Sequence, residues 1–363
     1  MDTDPESSPP SRSRTTSRAA VSLLGLLFAL PTVGPAPARA QTPPPRYHVV
    51  KRVPVGGPDA FWDYLTVDTA GNRLFISHGT HVQVLDLSAD SVVGEIPGTP
   101  GVHGIALADD LGRGYTSNGR DSTVTVVDLG TLKPITTIQA TGRNPDAILY
   151  DPYTRRVFTF NHSRGNVTAI DAVGDSVVGT IPVGGTLEFA VSDHAGHLYD
   201  NVEDSSQMVE IDPKGLKVEA RWPLAPCREP TGLAIDRAHH RLFVGCGNGL
   251  MAVVDARTGK VVSTVPVGDG VDATRFDPGT GLAFASAGAG TITVVRQEDP
   301  DHYSVVANVP TERGARTMGL DQRTHRLYTV SMKFGPAPAP TAERPHPRPR
   351  PVPGSFVVLV LEP

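Results

Sequence analysis

Tryptophan occurs only at Trp62 and Trp222, and cysteine only at Cys227 and Cys246, in a chain of 363 residues. Two indoles leave little with which to stack a flat cofactor. No C-x-x-C-H occurs, which excludes covalent haem attachment. No G-x-S-x-G occurs either, so a serine hydrolase would lack its nucleophile motif. His78, His81 and His162 fit no H-E-x-x-H or similar spacing, which argues against a zinc site. His197, His240 and His325 read as solvated turn residues. Helical periodicity is nearly absent. Beyond the first 40 residues no apolar run approaches the roughly 20 residues of a spanning helix.

An excess of basic charge is also missing. The formal net charge is −5 with a pI near 6.2, which argues against a broad nucleic-acid surface. What is present is 37 glycines, 34 prolines and 39% hydrophobic residues, the composition of a turn-rich β-protein. Residues 1–40 read as an export signal. Arg12, Arg14 and Arg18 precede the apolar run "AAVSLLGLLFAL", and "ARA" offers a cleavage site before Gln41. The mature chain, residues 41–363, is then expected in the periplasm or outside the cell, without a membrane span and as a monomer. Such a compartment is oxidising, so Cys227 and Cys246 are expected to pair, closing a loop of about 20 residues.

The mature chain repeats itself. An apolar run ends in aspartate at Asp68, Asp109, Asp151, Asp193, Asp236, Asp277 and Asp321, spaced 41 to 44 residues apart. Aromatic-led runs follow most of these: "FISH", "YTSN", "FTFN", "YDNV", "FVGC", "FASA" and "YTVS". Next comes a β-branched run such as "TVTVVDL" or "NVTAIDA", and then a fourth such as "SVVGTI". Four short strands in a period of about 42 residues define one propeller blade. The chain is therefore expected to be all-β: a single seven-bladed β-propeller. The seventh unit lacks a fourth strand, and "YHVVKRVPVGG" at residues 47–57 resembles "SVVGTIPVGG" at 176–185. The N-terminal strand should complete the last blade and close the ring. The aspartates ending first and third strands read as turn caps.

Residues 115–129, "YTSNGRDSTVTVVDL", are close to the repeat string of the YVTN-repeat, YncE-like exported bacterial propellers, and the resemblance covers nearly all of 46–363. The resemblance implies the propeller fold and export. Members of that family carry labels that include DNA binding, which the acidic balance here disfavours. Val202, Cys246, Ala287 and Ser331 stand where the family places asparagine.

Function is expected where inner strands begin, at one mouth of the channel. The position five before each turn aspartate is Asp63, Gly104, Asp146, Glu188, Thr231, Asp272 and Arg316, with His103 beside the Gly104 slot. Trp62 adjoins Asp63 and reads as a core or rim tryptophan, with the floor of a pocket as the alternative. Clustered carboxylates invite a cation, so Asp63, Asp146, Glu188 and Asp272 are candidate ligands of a divalent ion such as Ca²⁺. The alternative is that each acid caps its own loop or pairs with Arg143, Arg228, Arg313 or Arg316. The function expected is a binding or interaction module for a small ligand or a protein. The alternative is a lactonase-like, metal-assisted hydrolase. Residues 335–353 form a proline-rich insertion in the last blade, read as a solvated loop or a basic docking arm.

Overall fold

The structure is a computed structural model that describes residues 46–56, 61–339, 341 and 349–363. The export signal, Gln41, Arg344 and Arg348 lie outside the described residues. Twenty-eight strands, numbered in chain order, form seven antiparallel four-stranded sheets among the described residues. Six blades each consist of four consecutive strands. Their innermost members are β2 (Trp62–Asp68), β6 (Val102–Ala108), β10 (Pro145–Asp151), β14 (Leu187–Ser192), β18 (Pro230–Asp236) and β22 (Val271–Asp277). The seventh blade runs inward to outward through β26 (Met318–Asp321), β27 (Arg326–Ser331), β28 (Val357–Glu362) and β1 (His48–Pro54). The chain is thus a seven-bladed β-propeller whose last blade joins its two ends.

Closure is carried by a full ladder. His48 faces Glu362 and Pro54 faces Val357, with a bulge between Val49 and Lys51. Tyr47 adds side-chain anchorage: its ring meets Phe284 edge-on at 5.0 Å and its hydroxyl donates to the His325 carbonyl at 2.8 Å. Both partners belong to the sixth and seventh units, so the first described strand is bound to the last blades by packing as well as by backbone bonds.

The repeat aromatics explain why the blades stack. Phe75, Tyr115, Phe158, Tyr199, Phe243, Phe284 and Tyr328 all lie in second strands, and all are buried. Alternation turns one set of side chains to each neighbouring blade. Each sheet therefore buries both faces, and apolar clusters lie between blades instead of in one centre. Polar contacts follow the same period. Arg73 donates to the Leu129 carbonyl, Arg113 to Ala172, Arg156 to Pro213 and Arg241 to Pro300, each reaching from one blade to the next. The Tyr115 and Tyr199 hydroxyls do likewise, onto Ala172 and Ala256.

The turn aspartates cap backbone amides. Asp68 accepts from Gly71 N at 2.6 Å, Asp151 from Thr154 N at 3.0 Å and Asp277 from Gly279 N at 3.0 Å. At third-strand ends, Asp86, Asp128, Asp171, Asp212 and Asp255 also accept from amides two or three residues on. Two histidines expected to be solvated are instead paired with these aspartates. His325 Nδ1 lies 2.7 Å from Asp277, and His197 Nδ1 lies 2.7 Å from Asp193. A buried carboxylate such as Asp277 needs a partner, and the imidazole is within reach. The asparagine of the repeat string ties neighbouring strands of its own blade, since Asn118 and Asn161 donate to Thr125 and Thr168 of the third strand. In the fifth unit that place holds Cys246, bonded to Cys227 with Cα atoms 5.4 Å apart. Cys227 sits in the loop before β18, not on a strand, since Pro230 is the residue paired with Cys246. The insertion begins and ends as a short antiparallel pair, Phe334 with Pro351.

Two outcomes are expected. Deleting residues 41–56 opens the ring and lowers the melting temperature by about 10 °C or more, because a whole edge and its apolar anchors are lost; an unchanged transition in differential scanning calorimetry would contradict closure. Mass spectrometry without reductant should show a chain two hydrogens lighter than its reduced form, and Cys227→Ala with Cys246→Ala should cost about 3 kcal/mol of unfolding free energy.

Candidate functional site

Each inner strand of the first six blades carries a bulge just past its first residue, for instance between Trp62 and Leu65 and between Pro145 and Ile148. A bulge places two residues opposite one and re-aims a side chain. Aligned on their first paired residues, the bulged positions are Asp63, His103, Asp146, Glu188, Thr231 and Asp272. The ring read from the sequence had Gly104 here. The structure replaces it with His103, because β6 ends at Ala108 and the repeat aspartate falls in a 3-10 turn, Asp109–Leu111. Counting back five from Asp109 therefore stops one residue short of His103.

The mouth is a chain of alternating charges. His103 Nδ1 lies 2.6 Å from Asp63 Oδ2 and 3.5 Å from Asp146 Oδ1. Its Nε2 faces Asn144 Oδ1 at 3.3 Å. His162 Nδ1 lies 3.1 Å from Glu188 Oε1 and 3.9 Å from Asp146 Oδ2. Arg316 NH1 lies 3.3 Å from Asp272 Oδ2. Thr231 turns its hydroxyl to the Val271 carbonyl at 2.7 Å and joins the scaffold. Gly119 is needed for this packing, since a Cβ there would stand 2.3 Å from Asn144 Oδ1 and 2.6 Å from His103 Nε2.

Charges crowded out of water shift one another. Burial, then the negative charges of Asp63 and Glu188, push the Asp146 carboxyl up to about 7 against the pull of His103. Burial does the same to Asp272, up to about 7, against Arg316. Burial pulls His103 down, but its hydrogen bond to Asp63 and the charges of Asp146 and Asp63 outweigh it and carry the imidazole up to about 9. The hydrogen bond to Glu188 raises His162 to about 9. Tyr64, next in sequence to Asp63, is pushed well up by burial and by all four carboxylates. Asp200, fully buried behind Glu188 and Asp146, is raised by burial first, and neither of its oxygens has a hydrogen-bond partner among the described residues.

The structure brings Asp63, His103 and Asp146 together, with one ligand atom from each within 4.8 Å of the others. That set has an imidazole absent from the all-carboxylate set expected from sequence, while Glu188 and Asp272 are occupied by His162 and Arg316. Trp62 is not brought to the mouth. Its side chain is buried against Phe356, with ring centroids 5.4 Å apart. His78 and His81 lie together, ring centroids 5.2 Å apart, and neither belongs to the triad. Sequence reasoning passed over Asn144, Tyr64 and the pairing role of His162. Tyr64 and Phe189 each follow a slot acid, and their rings meet across the channel at 4.3 Å. A side chain next to an inward-pointing one ordinarily points away, so only the bulge admits both.

No family model matches the chain, and no curated protein does. Solved structures do. The chain is similar to a chain of the mitotic checkpoint complex, with a TM-score of 0.72 and 12% identity, covering 94% of this chain and 99% of that one. It is similar to a chain of Kuenenia stuttgartiensis hydrazine synthase, with a TM-score of 0.64 and 19% identity, over 75% and 92% of the two chains. It is also similar to the WD40 repeats of RRP9, with a TM-score of 0.69 and 10% identity, over 86% and 97%. These likenesses define the class as a seven-bladed β-propeller. At such identities they speak for the fold alone.

The native His103 proton is held more tightly than an unfolded chain would hold it. Its contribution to stability is therefore complete below about 6.5 and lost as pH rises through about 9. NMR titration should place the His103 midpoint near 9, and Asp63→Asn should lower it by more than one unit, because the acceptor and its charge are both removed. A midpoint near 6.5 in the unsubstituted protein would contradict the hydrogen-bonded pair.

Proposed function

We propose that the protein is an exported binding module of the YVTN-repeat kind, and that its acidic mouth takes a divalent cation at Asp63, His103 and Asp146. The observation that carries this is the triad itself: three ligand atoms from three successive blades within 4.8 Å of one another. Each is delivered by the same bulge on a rigid scaffold, as ion binding requires. With one nitrogen and two oxygen donors, the set suits a borderline ion such as Zn²⁺ or Mn²⁺ better than Ca²⁺, which prefers oxygen throughout. His103 Nδ1 points at both carboxylates, so an ion there would take the place of the imidazolium proton. Export is supported by the Cys227–Cys246 bridge, since disulfides persist in oxidising compartments. The repeat strings at residues 115–129 and their equivalents support the family reading.

A second reading is a metal-assisted hydrolase. Three protein ligands leave a coordination position for water, the arrangement of catalytic zinc sites. Calorimetry with Zn²⁺, Mn²⁺ and Ca²⁺ tests the first reading. Heat should be seen with a borderline ion and be at least tenfold weaker in Asp63→Asn with Asp146→Asn. No heat with any of the three ions would end the proposal. Turnover of a lactone or ester by the metal-loaded protein, lost in the same variant, would move it to the second reading.

A further inference from the structure

The channel continues beyond Tyr64 and Phe189 as a cavity of about 280 Å³, on the side where the inner strands end. None of the acids of the mouth lines it. Its polar lining includes two arginines, Arg237 and Arg275, and Gln322, while Ile148, Val191 and Ile235 contribute to its apolar walls. Arg275 stacks its guanidinium 5.4 Å from the Phe189 ring centroid and donates NH1 to the Thr274 carbonyl at 2.8 Å. Among the described residues it has no other hydrogen bond and no ion pair. A guanidinium carries five N–H donors, so most of its capacity faces the cavity. Arg237, which is exposed, donates Nε and NH2 to the Ser192 carbonyl, at 3.1 and 2.8 Å; its NH2 also lies 3.0 Å from His194 Nε2, and NH1 has no partner among the described residues. Gln322 uses Nε2 on the Phe276 carbonyl, at 3.3 Å.

Arg275 is half-buried and has no ion pair among the described residues; a cation drawn partly out of water without a counter-ion is costly, and the cost is offset when an anion arrives to meet it. Burial pulls Arg275 down to about 10, against Tyr64 and the Asp272 carboxylate. No carboxylate lines the cavity. The space equals about nine waters at roughly 30 Å³ each, too large for a bare inorganic ion, and its walls are part polar and part apolar. A guanidinium fork matches a planar carboxylate in two parallel hydrogen bonds.

We propose that this inner compartment binds a small organic carboxylate, with its charge on Arg275 and Arg237 and an aryl or branched alkyl body against the apolar walls. The site is independent of the mouth, because Tyr64 and Phe189 stand between them. Benzoate is the probe. Calorimetry on the full chain should show benzoate binding that is at least tenfold weaker in Arg275→Met, which removes the fork, and in Ala190→Leu, which fills the cavity without changing charge. Benzyl alcohol should bind at least tenfold more weakly than benzoate, and inorganic phosphate should not compete. No heat with benzoate, equal affinity in Ala190→Leu, or phosphate competing as well as benzoate would overturn the proposal. Should Arg275→Met fail to fold, the Ala190→Leu and benzyl alcohol comparisons still decide it. Zinc titration of the same proteins reads the mouth separately, so failure at one site is not mistaken for failure at the other.

Discussion

A four-stranded sheet has two edges and two faces, and none of them tolerates water well. The pairing of His48–Pro54 with Val357–Glu362 answers this for the last blade by covering the edge of β28, while the outermost strands, β1 among them, stay largely exposed. It completes the last blade, and a complete last blade gives the first one something to pack on. Without it, the apolar cluster around Val53, Leu74, Tyr328 and Val358 would have no outer layer. Every other element depends on that ring being closed, because blades contact only their neighbours.

The ring in turn sustains an arrangement that isolated loops could not. Four carboxylates share one mouth, and like charges at such range disfavour ionisation. They are tolerated because His103, His162 and Arg316 are interleaved with them and because the strands fix the spacing. The cost surfaces as displaced ionisation: Asp146 and Asp272 hold protons far longer than free carboxyls do. Deeper in, the polarity reverses and arginines line the channel. Tyr64 and Phe189 mark the boundary, and the two compartments differ in charge because residues one to three positions apart on the same strands face different depths.

Much of this architecture was legible from residues alone. The spacing of turn aspartates gave the blade count, and the likeness of residues 47–57 to 176–185 gave the closing strand. The disulfide followed from two cysteines near one blade mouth. The candidate ring was read with one error, Gly104 for His103, since a single extra turn residue is invisible to a count from Asp109. The pairing of His325 with Asp277 was not read because it joins turns 48 residues apart in neighbouring blades, and Trp62, read as a core or rim residue or a pocket floor, is in the core beside a bulge. Strand bulges decide which neighbour of a polar residue points inward, and no local pattern announces a bulge. Arg275 had no signal either, since an arginine in a strand ordinarily reads as solvent-facing.

The bonds that run from blade to blade have a consequence for how such a chain can change length. Arg73, Arg113, Arg156 and Arg241 all reach forward to a carbonyl of the following unit, as do the Tyr115 and Tyr199 hydroxyls. The ring therefore has a sense of rotation. A duplicated whole repeat brings one donor and one acceptor, and the circuit stays balanced. A duplicated half repeat leaves a guanidinium facing a carbonyl that is not there. The repeat, and not the strand, is the smallest increment by which this fold can grow or shrink.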